Sequence, residues 1–190
     1  MSYTQNPERE KANPHFLRKN APDEIGQASL TRKELGLKGI AVLPLVFSSR
    51  LNTSQRDELE SLMFFHPQQD LHASSINTAI MSYGFPKIVE EDATLRIGIE
   101  GLEVQTLYAF VERGQRQDLV GVLVYTRICD DTLVVLHMAV RPEFCYSSGY
   151  KNELVLIRIL AQLRAIAKRI RGIKKLSILY SDKEITRALV

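Results

Sequence analysis

From Leu133 the chain reads Leu-Val-Val-Leu-His-Met-Ala-Val, a nearly continuous apolar run that stops at Pro142. Such a run predicts a strand buried on both faces, and proline ends it because it has no amide hydrogen to give a ladder. A loop of small residues follows from Cys145. Beyond it Leu156, Ile159, Leu160, Leu163, Ile166, Ala167 and Ile170 recur at spacings of three and four. That is one apolar face of a helix running to Arg171, with Arg158, Gln162, Arg164, Lys168, Arg169 and Arg171 mostly on the other side. Gly172 ends the helix, and Lys174 to Tyr180 reads as a second strand. Two strands joined by a crossover helix are predicted to be parallel neighbours with a right-handed connection.

A helix starting straight after a strand aims its first unpaired amides at the strand's C-terminal end. Ser147 or Ser148 suits the cap, and Gly149 permits close backbone approach. The turn is then either an anion site for a phosphate or a turn that binds only water and its own cap.

Upstream, Gly39 to Phe47 has β character, and Pro44 marks an edge strand or a bulge. Thr53 or Ser54 caps a helix over Gln55 to Phe65, with Leu59, Leu62 and Met63 inward. A second helix is predicted from Leu71 to Tyr83. In Lys87 to Gly101, Leu95, Ile97 and Ile99 alternate with polar residues as in a half-buried strand; alternatively, Glu90 to Asp92 form an acidic loop. That loop is either solvated or an attractor for an amine. Glu103 to Glu112 and Leu119 to Ile128 are strand-like runs with a hairpin turn between them. Asp130 and Asp131 turn the chain into the next strand. The predicted fold is α/β: a single domain over 39–190, with a mixed, mostly antiparallel sheet flanked by helices, behind a polar arm over 1–38.

Composition narrows the partners. The net charge is only +3, which by itself implies no nucleic acid. Between Lys151 and Lys175 there are eight basic residues against one acidic residue, Glu153. With no interleaved aromatics and no DNA-binding motif, this reads as a solvated helix face. Cys129 and Cys145 form no CxxC pair and no disulfide framework. The N-terminal stretch has no apolar h-region, and no apolar run reaches a membrane span, so the expected location is cytoplasmic, with no membrane partner.

The order strand, two helices, three antiparallel strands, long helix, strand resembles the GNAT superfamily of acyl-CoA-dependent N-acyltransferases. Most of the resemblance lies in Leu133 to Tyr180, where His137, Met138, Ala139, Val140, Arg141, Pro142, Glu143 and Phe144 match the family's His-hydrophobic-Ala-Val-x-Pro-x-aromatic strand end. The resemblance implies acetyl-CoA or another acyl-CoA as cosubstrate. Its pantetheine would pair with the backbone of Met138, Ala139 and Val140. Its pyrophosphate would lie on the loop of Ser147, Ser148, Gly149, Tyr150 and Lys151. That loop departs from the family's Arg/Gln-x-x-Gly-x-Gly/Ala pattern: Tyr146 and Lys151 stand where Arg or Gln and a second small residue are expected. The family's later helix, with its proton-donating tyrosine, has no counterpart after Tyr180, where Ser181 to Val190 leaves room only for a short helix. The rest of the cleft is therefore expected from the arm or from another subunit. A truncated sheet edge is also a reason to form a homodimer.

Amine acylation needs a base for the ammonium and an acid near the thiolate. His137 and Tyr180 are the candidate catalytic residues, and Glu112 is a base acting through water. Each also has a structural reading: packed strand histidine, core or rim tyrosine, exposed strand-end carboxylate. Cys145, close to the expected helix start, would have a lowered thiol pKa, but no Asp or His spacing supports it as a nucleophile. His66 and His72 form no metal site with a nearby partner. The first reading of function is an N-acyltransferase acting on an unidentified amine. The second is a GNAT-like module that binds or assembles without turnover. The third is a nucleic-acid-associated regulator using the basic helix.

Overall fold

The computed structural model describes residues 44–67, 69–145 and 154–179, together with the backbone of 187–188. The N-terminal arm, the loop from Tyr146 to Glu153 and Tyr180 lie outside them. The elements run β1 (Leu45–Ser48), β2 (Leu51–Asn52), α1 (Arg56–Phe64), α2 (Ala73–Tyr83), β3 (Pro86–Glu91), β4 (Thr94–Ile99), β5 (Val104–Arg113), β6 (Arg116–Cys129), β7 (Thr132–Val140), α3 (Val155–Arg169), β8 (Lys175–Ile178) and β9 (Arg187–Ala188). Six strands form one sheet in the order β1-β5-β6-β7-β8-β9, and β2, β4 and β3 form a smaller second sheet.

The larger sheet is mixed and mostly antiparallel. Strands β5, β6 and β7 are consecutive antiparallel neighbours, and β7 pairs in parallel with β8. Gly114 takes φ 65° at the first central position of the tight β5–β6 turn, a conformation that glycine adopts without steric cost. Strand β1 is the edge strand that Pro44 foretold.

Side chains alternate between two cores. Toward α3 point Leu107, Ala109 and Val111 of β5, with Leu133 and Val135 of β7, against Ile159 and Leu163. Toward α1 and the small sheet point Tyr108, Phe110, Val122 and Val124, against Leu59, Leu62 and Leu95. The Tyr108 hydroxyl donates to the Leu95 carbonyl at 3.1 Å, tying the two sheets together. Burial pushes this phenol up to about 12. At Gly121 on β6, a Cβ would stand 2.6 Å from Ile159 Cδ1, so glycine is what lets α3 lie this close to the sheet.

Several expectations are corrected. Helix α3 begins at Val155, not at Gly149. The residue before it, Leu154, is left-handed with φ 44° and makes no side-chain cap bond. Ser147, Ser148 and Gly149, the expected cap and turn, lie outside the described residues. The buried face of α3 is also rotated from the expected one. Arg158 and Gln162 are buried with Val155, Ile159, Leu163 and Ala167, while Leu156 and Ile157 are exposed. The N-cap of α1 is Gln55, which makes no side-chain cap bond, in place of Thr53 or Ser54; Asn52 caps the 3-10 turn just before it, its Oδ1 accepting from the Ser54 amide at 2.9 Å. Glu90 and Glu91 end β3 instead of forming an acidic loop. After Tyr180 the described residues form a strand, β9. It pairs with Lys175 and Leu176, so that stretch of β8 is not an open edge.

Candidate functional site

The site is built where β7 outruns β8. Pairing between them ends at Val135↔Ile178, whereas pairing of β7 with β6 continues to Gly121↔Val140. The ladder with β6 is irregular at one point: Val124 faces His137, but Tyr125 faces Val135, so Leu136 is an extra residue on β7. A bulge of this kind bends the strand and re-aims its side chains. Val135 packs against the α3 core, and Leu136 packs with Val134 and Ile99 on the opposite side. His137, which strict alternation would return to α3, lines a cavity on the same side as Leu136.

Beyond the bulge the backbone alternates again. The Arg141 amide donates to the Val120 carbonyl at 2.9 Å, so Ala139 also turns its polar groups toward β6. Met138 and Val140 then turn theirs toward the side that β8 has left. The Val140 carbonyl is already engaged there. His66 Nε2 lies 2.8 Å from it, and with a carbonyl as acceptor the ring donates. The Cys145 thiol approaches the same oxygen at 3.6 Å.

The cavity of about 220 Å³ lies between α2 and the sheet. Ile76, Ala79, Ile80 and Tyr83 line it from one face of α2, a helix with no buried residue. Met63 and Phe64 of α1 close one end, and Phe85 stacks on Phe64 with centroids 6.0 Å apart. Gln69 is held by its own bond, Nε2 donating to the Met63 carbonyl at 2.7 Å. Among the described residues no Asp, Glu, Lys or Arg lines the cavity; its polar side chains are Gln69, Tyr83 and His137. Burial lowers the His137 imidazole to about 4, with repulsion from His66 acting in the same direction. The ring is therefore neutral at physiological pH, able to accept or donate a hydrogen bond but a weak base.

Of the predicted site residues, the structure brings together His137, Met138, Ala139 and Val140. Ser147, Ser148, Gly149, Tyr150, Lys151 and Tyr180 lie outside the described residues. Glu112 does not belong to the site. It pairs with Gln117 while His137 pairs with Val124, and those two β6 residues are roughly 20 Å apart at the rise of a strand. Its carboxylate accepts from Gln117 Nε2 at 3.2 Å. Glu90 and Glu91 are likewise engaged elsewhere, with Arg56 at 3.0 Å and Arg96 at 2.6 Å. Cys145 is corrected as well: burial, then the nearby Glu143 carboxylate, raises its thiol pKa. The helix start that would have lowered it lies farther along the chain.

Sequence reasoning missed His66 as part of this site, because its contact with Val140 spans 74 positions and no local pattern announces it. It missed the bulge because Leu133 to Val140 is apolar on both sides of Leu136.

Comparison with protein families, with curated proteins and with solved structures finds no match to this chain. Among the described residues no group of three His, Cys, Asp or Glu side chains is placed to hold a metal ion, and no helix is long and apolar enough to cross a membrane.

Proposed function

We propose that this chain is a GNAT-like N-acyltransferase moving an acetyl or other short acyl group from CoA to an amine. One observation carries the reading: β7 pairs with β8 only as far as Val135, and the bulge that follows at Leu136 turns His137 into the cavity. A strand edge beside such a cavity suits two substrates that must meet. The outward amide and carbonyl of Met138 would hold the extended pantetheine arm. The acyl-CoA supplies an activated thioester. The acceptor amine attacks the thioester carbon from the cavity side, a C–N bond forms and the C–S bond breaks. A backbone amide near Met138 to Val140 would meet the oxyanion. His137, neutral and held by β7, orients the amine through a hydrogen bond, and Tyr180 remains the candidate acid for the departing thiolate.

A second reading has its own support. The Val140 carbonyl, one of the groups a pantetheine arm would use, is taken by His66. A chain whose edge is closed in this way would serve as a binding or assembly module without turnover.

A thermal melt with and without acetyl-CoA tests the first reading, because a ligand that binds only the native state raises the midpoint. Acyl transfer requires a rise that acetate does not reproduce, followed by release of free CoA thiol when amines are added. No shift at millimolar acetyl-CoA would sink it. A shift without thiol release across an amine panel would favour the binding module.

A further inference from the structure

We propose that the cavity under α2 takes the flat, uncharged ring of a weakly basic aromatic amine, an aniline or a naphthylamine, with its nitrogen at His137. The nitrogen's fate as acyl acceptor rests on the acyltransferase reading; the binding does not.

Three observations point to this class. The first is charge. No carboxylate lines the cavity among the described residues; β3 reaches it through Pro86, and its acids Glu90 and Glu91, at the strand's other end, are paired with Arg56 and Arg96. An alkylammonium ion entering such a place would lose its hydration and find no counter-charge. It would have to shed its proton first, against a solution pKa near that of lysine, about 10.4. An aromatic amine is already neutral at pH 7.

The second is shape. At about 220 Å³ the cavity falls below the roughly 300–1,000 Å³ of sites for drug-sized ligands, which leaves room for one or two rings. Phe64 and Phe85, stacked within 8° of parallel, both contribute to its wall, which gives a flat ring aromatic surface to pack on.

The third is the polar partner. His137 is the imidazole on the floor, neutral because burial and His66 hold it so. A neutral imidazole suits the N–H of a neutral amine, whereas an acidic side chain would suit an ammonium ion. With an aniline in place, acyl transfer balances simply. Nitrogen bonds to the acyl carbon, the C–S bond breaks, and the proton lost by nitrogen ends on the CoA thiol.

Helix α2 is suited to admit such a ligand. Its cavity-facing Ile76, Ala79, Ile80 and Tyr83 are only half-buried, so filling the space buries them further.

The test uses 1-naphthylamine fluorescence, which the chain does not obscure because it has no tryptophan. Titration of the intact protein without CoA should raise and blue-shift the emission. Aniline should displace the probe, and cyclohexylammonium, similar in size but charged, should need at least tenfold higher concentration. Ile80→Asp places a carboxylate in the wall and should weaken the probe at least tenfold. Met81→Asp, at a position 88% exposed on the same helix, controls for folding and should leave binding unchanged. The proposal is overturned if the probe does not bind, if cyclohexylammonium competes as well as aniline, or if Ile80→Asp binds as well as the native chain. Probe binding with these preferences, but no melt shift with acetyl-CoA, would retain the cavity assignment and remove acyl transfer.

Discussion

Leu136 and His137 are adjacent on β7, yet both side chains lie on the face away from α3. The bulge thus commits an ionisable ring to an apolar cavity, and this has a consequence for stability. The unfolded imidazole has a pKa of 6.5 and the folded one about 4. Between those values the unfolded chain binds more protons, so stability rises with pH across that window. The His137 contribution is complete above pH 6.5 and is lost as pH falls toward 4. Its size is on the order of 3 kcal/mol. Melting midpoints for the native chain and for His137→Leu should differ in slope between pH 4 and 6.5 and run parallel above it. Parallel curves throughout would contradict the buried, neutral ring.

Gly121 faces Ile159 too closely for a Cβ. Gly121→Ala should destabilise by about 1–3 kcal/mol, the range for an overpacked core. Ile159→Val removes the offending Cδ1 and alone should cost about 0.5–1.5 kcal/mol. Together the two should cost less than their sum. Urea titrations of the four proteins in this cycle give the coupling, and simple additivity would mean that α3 shifts freely.

The β3–β4 turn holds Asp92 and Ala93 at φ 49° and 57°. Both are left-handed, which suits glycine or asparagine and strains alanine. Ala93→Gly relieves that strain, by roughly 1 kcal/mol, and partly offsets it through unfolded-state entropy. A net gain of a few tenths of a kcal/mol to about 1 kcal/mol should appear as a higher denaturation midpoint with unchanged slope.

The two thiols should react at different rates. Cys129 is exposed, while Cys145 is half-buried with its thiol pKa raised by burial and by Glu143. Thiolate is the reacting form. Iodoacetamide at pH 8 should label Cys129 first, and Glu143→Gln should speed labelling of Cys145. Equal rates in the native chain would place Cys145 in open solvent.

Much of this fold was legible because its signals are local. Pro142 follows the end of an apolar strand, and Leu59, Leu62 and Met63 mark the inward side of α1, whereas α3 ends at Arg169 with Ile170 as its cap, ahead of the expected stop at Gly172. The phase of α3 was harder to read. Arg158 and Gln162 count as solvent-facing by charge and polarity, but both lie on the buried face, and only the tertiary arrangement decides that. The β3–β4 hairpin was half visible, since its turn lacks the Asn-Gly signature and uses a strained Asp-Ala pair instead. Of the candidate site, His137 and the strand end after it were readable as residues. The direction of His137, the engagement of Val140 by His66 and the cavity under α2 were not, because each depends on segments far apart in the chain.

The run of consecutive neighbours β5, β6 and β7 also bears on how the chain reaches this structure. These strands are joined by tight turns, so their pairings close only short loops and can form early. Strand β1 must find β5 across the whole α1–β4 segment, and β8 can join β7 only after α3 has packed. The meander is therefore the natural folding nucleus. Substitutions in its buried positions, such as Leu123→Ala, should slow refolding, whereas Leu45→Ala in β1 and Leu176→Ala in β8 should chiefly hasten unfolding. On this order of events His137 and its bulge are built into the first part of the molecule to form, before the outer strands β1 and β8 are added.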